Sequence, residues 1–290
     1  MDTILTAVVF GIANGSLLAL LTFGLVLVYR ATGQLNLAHG MIGTIGALVV
    51  VEYGIIDLPM PVILLVMCGV SALLALATQQ LVLRPMRNSP VWSVVVATLA
   101  VALLLRTVAN IAWGNTPRPF PPIFGRKVFL IGSVPVSSQQ AATIVVTVVF
   151  LLGFAAFYKF TRLGTALRAM AANRTGADIA GIPTGRLESL VWVIGGVFAG
   201  LTAFFGSPIT FVTPGMLEPL LLLALAAAAI GGLTSLSVAV AGALVVGVAN
   251  EFASLYIPSQ FRASVPVLVI GLALLLRPQG LTVRRQRGAV

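Results

Sequence analysis

From Ile4 to Leu276 the chain is a succession of apolar blocks, each close to the length a bilayer demands, joined by short loops that hold most of its charge. A helix needs about 20 mostly apolar residues to cross the hydrocarbon core. Candidate blocks fall at about 4–29, 35–53, 60–83, 91–112, 139–158, 187–206, 216–233, 236–255 and 262–276. That is nine crossings. The second and seventh are set apart by their small residues and suit short or re-entrant helices, which are tolerated only beside protein or a water-filled path.

Composition supports the same conclusion. Hydrophobic residues make up 59% of the chain and charged residues 8%, against about a quarter charged in a soluble domain. A water-soluble fold would have nowhere to place this apolar surface, whereas lipid accepts it. The expected fold is therefore all-α, a polytopic transmembrane helix bundle of about eight to nine spans, with residues 1–290 forming a single transmembrane domain. The chain opens Met1-Asp2-Thr3 and stays apolar to Tyr29. This lacks the positive start and short core of a cleavable signal, so the first block is expected to be retained as a span.

The net charge of +10 does not indicate a nucleic-acid partner. The basic residues lie between apolar blocks and not on a helix face interleaved with aromatics. With the 159–186 loop placed in the cytoplasm, twelve of the 17 Lys and Arg fall on that side: Arg30, Arg84, Arg87, Lys159, Arg162, Arg168, Arg174, Arg186, Arg277, Arg284, Arg285 and Arg287. Arg118, Arg126, Lys127 and Arg262 fall on the other, and Arg106 lies inside a block. The positive-inside rule then puts the N-terminus outside and the C-terminus in the cytoplasm. Cys68, the one cysteine, sits in an apolar block and reads as a small buried side chain. No metal-ligand spacing occurs, and no cofactor is expected.

Two stretches are long enough to hold structure outside the bilayer. Residues 113–138 carry Pro117, Pro119, Pro121, Pro122 and Pro135, a density that blocks a continuous helix, and are expected to form an ordered outer loop facing a partner. Residues 159–186 are charged and helix-capable. No phosphate-binding loop of the G-x-x-x-x-G-K-[ST] kind is present, so any ATPase must be a separate chain.

Polar groups inside apolar blocks are costly and mark the first candidate site. Asn36 and His39 open the second block in Leu35-Asn36-Leu37-Ala38-His39-Gly40. Three apart, they share a face if helical, and Gly40 and Gly43 continue it. Such a helix end suits a solute path; equally, the two side chains suit nearby carbonyls at the break after Arg30. Ala243, Gly247 and Glu251 form a small-residue stripe ending in a carboxylate near the outer boundary, which either lines the path or reaches the headgroups. Glu218 follows Pro214 and reads as a helix start favoured by the dipole. The Gly196–Gly200 pair, spaced as G-x-x-x-G, is assigned to helix packing.

In the 159–186 segment, Leu163, Leu167, Met170 and Ala171 recur at helical spacing, with Arg168 and Arg174 elsewhere. Thr175-Gly176 is expected to interrupt this helix, and Gly181 and Pro183 to end a second short one. An amphipathic helix of this kind lies on a membrane or docks in a protein groove; spacing leaves both open.

With these residues in view, the chain resembles, over nearly its whole length, the permease subunits of branched-chain amino acid importers of the ABC class. Leu35-Asn36-Leu37-Ala38-His39-Gly40 is similar to that family's Asn-Phe-Ala-His-Gly segment. Residues from Arg168-Ala169-Met170-Ala171 to Ala180-Gly181-Ile182 resemble its cytoplasmic coupling segment. Ile230-Gly231-Gly232-Leu233-Thr234-Ser235, followed by Ala241-Gly242-Ala243-Leu244 and Glu251, resembles its Gly-Gly-Leu-Gly-Ser stretch, departing from it at Thr234 and at Leu236-Ser237. The resemblance implies a permease domain that is not itself an enzyme. It pairs with a second permease chain (alike or paralogous), two ATP-binding cassette ATPase subunits and an extracytoplasmic solute-binding protein, within membrane lipid. It further implies Asn36 and His39 on or near the substrate pathway, with Gly40 and Glu251 as further candidates, and residues 165–182, among them Leu167, Arg168, Met170, Ala171, Gly176, Gly181 and Ile182, at the ATPase. Transport would be alternating access driven in trans, with apolar walls for an aliphatic side chain and a few polar groups for its zwitterionic end. Rival readings are a related permease for urea, short amides, sugars or nucleosides, and a stand-alone secondary transporter. The scarcity of midplane acids speaks against the latter. A membrane-embedded enzyme ranks last for want of an acid–base or metal-ligand set.

Overall fold

A computed structural model of the chain describes residues 2–87, 89–125, 127–131, 134–230, 233, 235–258, 268 and 271. The helices are α1 (Asp2–Thr32), α2 (His39–Glu52), α3 (Met60–Ala77), α4 (Val91–Trp113), α5 (Ser138–Phe160), α6 (Arg162–Ala172), α7 (Arg174–Ile179), α8 (Thr184–Gly206), α9 (Glu218–Ile230) and α10 (Leu236–Tyr256). A six-residue π-helical turn, Thr78–Leu83, continues α3. Among the described residues six helices are long and apolar enough to cross a membrane: α1, α3 with its π turn, α4, α5, α8 and α10.

The second and seventh blocks are indeed short. At 14 and 13 residues, α2 and α9 extend only about 20 Å, against about 30 Å of hydrocarbon. Neither can span alone, and α2 is buried along nearly its whole length. Apart from Leu268 and Gly271, the expected ninth block, 262–276, lies outside the described residues, as do Gly231, Gly232 and Thr234 of the late glycine stretch and Arg277, Arg284, Arg285 and Arg287.

The bundle is organised around α1 and α8. Leu17–Val28 of α1 are buried, and α8 is buried along most of its length, whereas α4 and α5 turn much of their apolar surface outward. Lipid-facing helices have no reason to be amphipathic, which is why periodicity says little about which block lies at the centre. Small residues set the contacts. A Cβ added at Gly196 would lie 2.5 Å from the Ser71 carbonyl oxygen, and one at Gly200 would lie 2.8 Å from Cys68 Cα. The pair therefore does pack α8 against α3, as expected. Unanticipated is the matching seam between α1 and α10. Gly11 and Gly15 face Val248, Leu244 and Gly247, with the helices antiparallel.

The all-α expectation needs one correction. Within the proline-rich loop, β1 (Val128–Ile131) and β2 (Val134–Ser137) pair antiparallel, Val128 opposite Ser137 and Ile131 opposite Val134. Pro135 is accommodated because a two-stranded ribbon has only edge strands, where its missing N–H costs no ladder bond. Ser137 then caps α5 in a capping box with Gln140. The rest of this loop is tied to the bundle. Arg118 exchanges backbone hydrogen bonds with Val212 (3.1 and 2.9 Å), and its guanidinium pairs with Glu52 at the end of α2.

At the opposite end the basic residues gather. Arg30 and Arg168 both lie over the Tyr158 ring, each 5.6 Å from its centroid, and Arg168 donates to the Tyr158 carbonyl.

Candidate functional site

Three arrangements carry chemistry. The first is the break between α1 and α2. Asn36 does not share a helical face with His39, because α2 begins only at His39. The Asn36 Oδ1 accepts from the Ala38 N–H (3.0 Å). This local turn holds the chain out of helix, as short polar side chains do at helix starts. The non-helical backbone of 33–38 is satisfied from α4: Thr98 Oγ1 donates to the Leu35 carbonyl (3.0 Å) and accepts from the Leu37 N–H (3.3 Å). His39 is fully buried. Its ring fits over Gly24 of α1, where a Cβ would come 2.8 Å from Nε2. Neither ring nitrogen closes a hydrogen bond among the described residues, although the Leu21 backbone of α1 is near enough to act on the ring. Gly40 and Gly43 let α2 approach the Leu217 and Ala199 carbonyls, 3.2 and 2.5 Å from an added Cβ.

The second arrangement centres on Glu251. It sits within α10, which continues to Tyr256, and its carboxylate accepts from Asn14 Nδ2 of α1 at 2.6 Å. Beside this pair, a cavity of about 290 Å³ opens between α1, α9 and α10. The structure does not unite the two pathway candidates: His39 sits against Gly24 and Glu251 against Asn14, ten residues or about 15 Å apart along α1. Asn14 was missed because its partner lies 237 residues away. Glu218 does begin α9, but both its carboxylate oxygens also accept from one nitrogen, Nη1 of Arg106 of α4, at 2.9 and 2.7 Å. Two lone opposite charges in apolar blocks were the available signal.

The third is the α6–α7 segment at the basic end. The helix breaks at Asn173, not at Thr175-Gly176. The Asn173 side chain accepts from the Gly176 N–H (2.9 Å) and so starts a new helix containing both residues. Leu167 and Met170, which their spacing offers to a membrane or a partner, are instead buried in this chain's own core. Leu163 is largely exposed, because the N-terminal turn of α6 is pinned through Gly164, whose backbone abuts the Phe157 and Tyr158 carbonyls. Arg168 donates to Thr165 Oγ1 (3.0 Å) and faces Tyr158. Ala171 and Ile182 are half-buried, and Gly176 and Gly181 exposed. Gly181 has φ +79°, the left-handed turn that ends α7. Ile179, at the tip, is 84% exposed, more than any other large apolar side chain among the described residues.

What the residue pattern alone left unnoticed is how α7 is anchored. Glu188 of α8 is 3% exposed; its Oε2 accepts from Arg174 of α7 at 2.6 Å, and Arg87 lies 3.5 Å from the same oxygen. A second tie runs from Thr184 Oγ1 to Asp178 (2.5 Å). Ser189 meets Gln79 and Gln80 of the π turn at 3.0 and 2.8 Å. These groups line an open polar cleft of about 950 Å³. A single acid among the apolar residues of α8 was the signal for Glu188.

A family model described as "Branched-chain amino acid transport system / permease component" matches residues 7–277. Among curated proteins, the chain is 28% identical to the high-affinity branched-chain amino acid transport system permease protein LivH of Escherichia coli (strain K12), over 93% of this chain and 92% of that protein. It is 26% identical to the corresponding protein BraD of Pseudomonas aeruginosa, over 96% and 95%. It is 27% identical to a probable branched-chain amino acid transport permease protein LivH of Methanocaldococcus jannaschii, over 93% and 90%. No solved structure matches the chain.

Proposed function

The chain belongs to the family of branched-chain amino acid transport system permease components, and on that premise we propose that it is the membrane-spanning subunit of an ATP-binding cassette importer. Its cargo is a branched-chain or similar small amino acid, moved across the plasma (inner) membrane. Its N-terminus faces outside and the basic end faces the cytoplasm, in keeping with the positive-inside rule. ATP is hydrolysed by separate subunits. A second permease chain completes the pathway, and an extracytoplasmic binding protein delivers the solute.

The match over residues 7–277 carries this reading, and the geometry of the basic end fits it. In our proposal 159–186 is the coupling segment, with Leu167 and Met170 seating it on the bundle. Arg168, Ala171, Gly176, Gly181 and Ile182 lie at or near the ATPase, and Ile179 joins them as the exposed apolar anchor. ATP-driven closure of the ATPase pair pulls on α7, and the ties from α7 through Glu188 to α8 and Arg87 pass that displacement to the spans. Asn36, His39 and Gly40 form the inner part of the solute pathway and Glu251 the outer part, at two levels along α1.

The test is reconstitution with ATPase and binding-protein subunits in liposomes. ATP-dependent leucine uptake is expected, and Ala171→Glu should abolish it while the binding protein keeps its affinity for leucine. The equivalent change at Gly181 is less clean, because any side chain is strained at that backbone angle. Normal uptake by Ala171→Glu, or failure of any ATPase subunit to co-purify with the unmodified chain, would refute the proposal.

A further inference from the structure

The cavity between α1, α9 and α10 has a mixed lining. Leu17, Leu217, Leu220 and Leu223 supply aliphatic lining, and Asn14 and Asn250 supply amides. Its volume of about 290 Å³ falls just short of the range of drug-sized ligand sites, about 300 to 1,000 Å³, and so suits a smaller solute.

The polar lining has a defined orientation. The Glu251 carboxylate, when ionised, only accepts hydrogen bonds. Its 2.6 Å contact therefore goes to the Asn14 amide nitrogen. That bond uses the amide nitrogen, which leaves Asn14 Oδ1 as the acceptor end of the amide beside the cavity. The Asn250 amide lines the same cavity and brings N–H donors to it. A carbonyl oxygen reinforced by a carboxylate suits an ammonium group, and an amide N–H suits a carboxylate. The close approach of Gly247 to Gly15 brings these groups across from α10 to α1.

We infer that this cavity is a holding site for the transported solute, and that the solute is an aliphatic α-amino acid bound as its zwitterion. The ammonium donates to Asn14 Oδ1, the carboxylate accepts from the Asn250 amide, and the side chain lies against Leu220 and Leu223. Glu251 is a positioning residue here: it fixes the Asn14 amide and adds charge behind it. The inference rests on the importer reading and names where the cargo sits.

The experiment uses the assembled complex with its ATPase subunits, in a Cys68→Ser background carrying Leu220→Cys, with Leu223→Cys as a second reporter. Maleimide labelling of the introduced thiol is followed with and without leucine. At leucine about ten times its Kd, labelling should slow by on the order of tenfold, and glucose should not slow it. Adding Asn14→Leu should remove the protection. Adding Glu251→Gln should weaken it, because a glutamine can also donate and frees the Asn14 amide to turn. Labelling indifferent to leucine at both reporters, while the complex drives leucine uptake, would overturn the site and leave the importer reading intact. Absence of leucine uptake by the unmodified complex would overturn both.

Discussion

Removing the Glu188 charge should loosen α7 without unfolding the bundle. The carboxylate is buried, but its partners are not: the Arg174 side chain is 31% exposed and that of Arg87 46%. A charge-assisted hydrogen bond is worth about 1.5–3 kcal/mol, and losing one partner of a fully buried pair about 3–5 kcal/mol. Arginines this exposed rehydrate when released, which discounts both figures. The Thr184–Asp178 bond also survives and continues to hold α7. About 1–2 kcal/mol remains, which corresponds to a factor of about 5–30 in the equilibrium between docked and released α7. Glu188→Gln, which keeps an acceptor, should fall at the lower end and Glu188→Leu at the upper. Amide hydrogen exchange across 174–182 reads this equilibrium directly. Exchange there should accelerate by that factor while α8 beyond Trp192 keeps its protection, and ATP hydrolysis should become less responsive to loaded binding protein. Unchanged exchange at 174–182 in both variants would refute the idea that this ion cluster holds the segment.

Two further outcomes follow from other parts of the fold. Gly196→Leu forces α3 and α8 apart, since even a Cβ there would meet the Ser71 carbonyl at 2.5 Å. Overpacking of this kind costs about 1–3 kcal/mol, and the thermal midpoint of the purified protein should drop. Gly69→Leu on α3, where an added Cβ meets nothing within 4 Å, should leave it unchanged. Ile179→Glu should lower co-purification of the ATPase subunits by on the order of 30-fold, the scale of an interface hot spot, with an unaltered melting curve.

The spans were legible because bilayer thickness imposes a length that local composition reveals, and even the shortness of α2 and α9 showed in their small residues. The shared face of Leu167 and Met170 was legible because α6 has one face in water, so helical periodicity carries information there. Asn36 was misplaced because a short polar side chain that bonds two residues ahead ends helical geometry, and a face argument presupposes that geometry. The break at Asn173 was displaced by two residues for the same reason: a glycine is the more obvious interruption, but the capping side chain fixes the start. The β1–β2 ribbon went unread because prolines exclude helix without excluding an edge strand. The Asn14–Glu251 and Arg174–Glu188 contacts depend on which helices become neighbours, and uniformly apolar spans give little hint of that.

The glycine seam between α1 and α10 also bears on how the protein comes into being. Gly11 and Gly15 leave the ribosome first, and Gly247 follows more than 200 residues later. At about 5–20 residues per second, the first helix spends on the order of ten to fifty seconds in the bilayer before its counterpart exists. Throughout that interval its glycine face is open to any other helix with a small-residue stripe, so the newborn chain is most exposed to mispairing before α10 arrives.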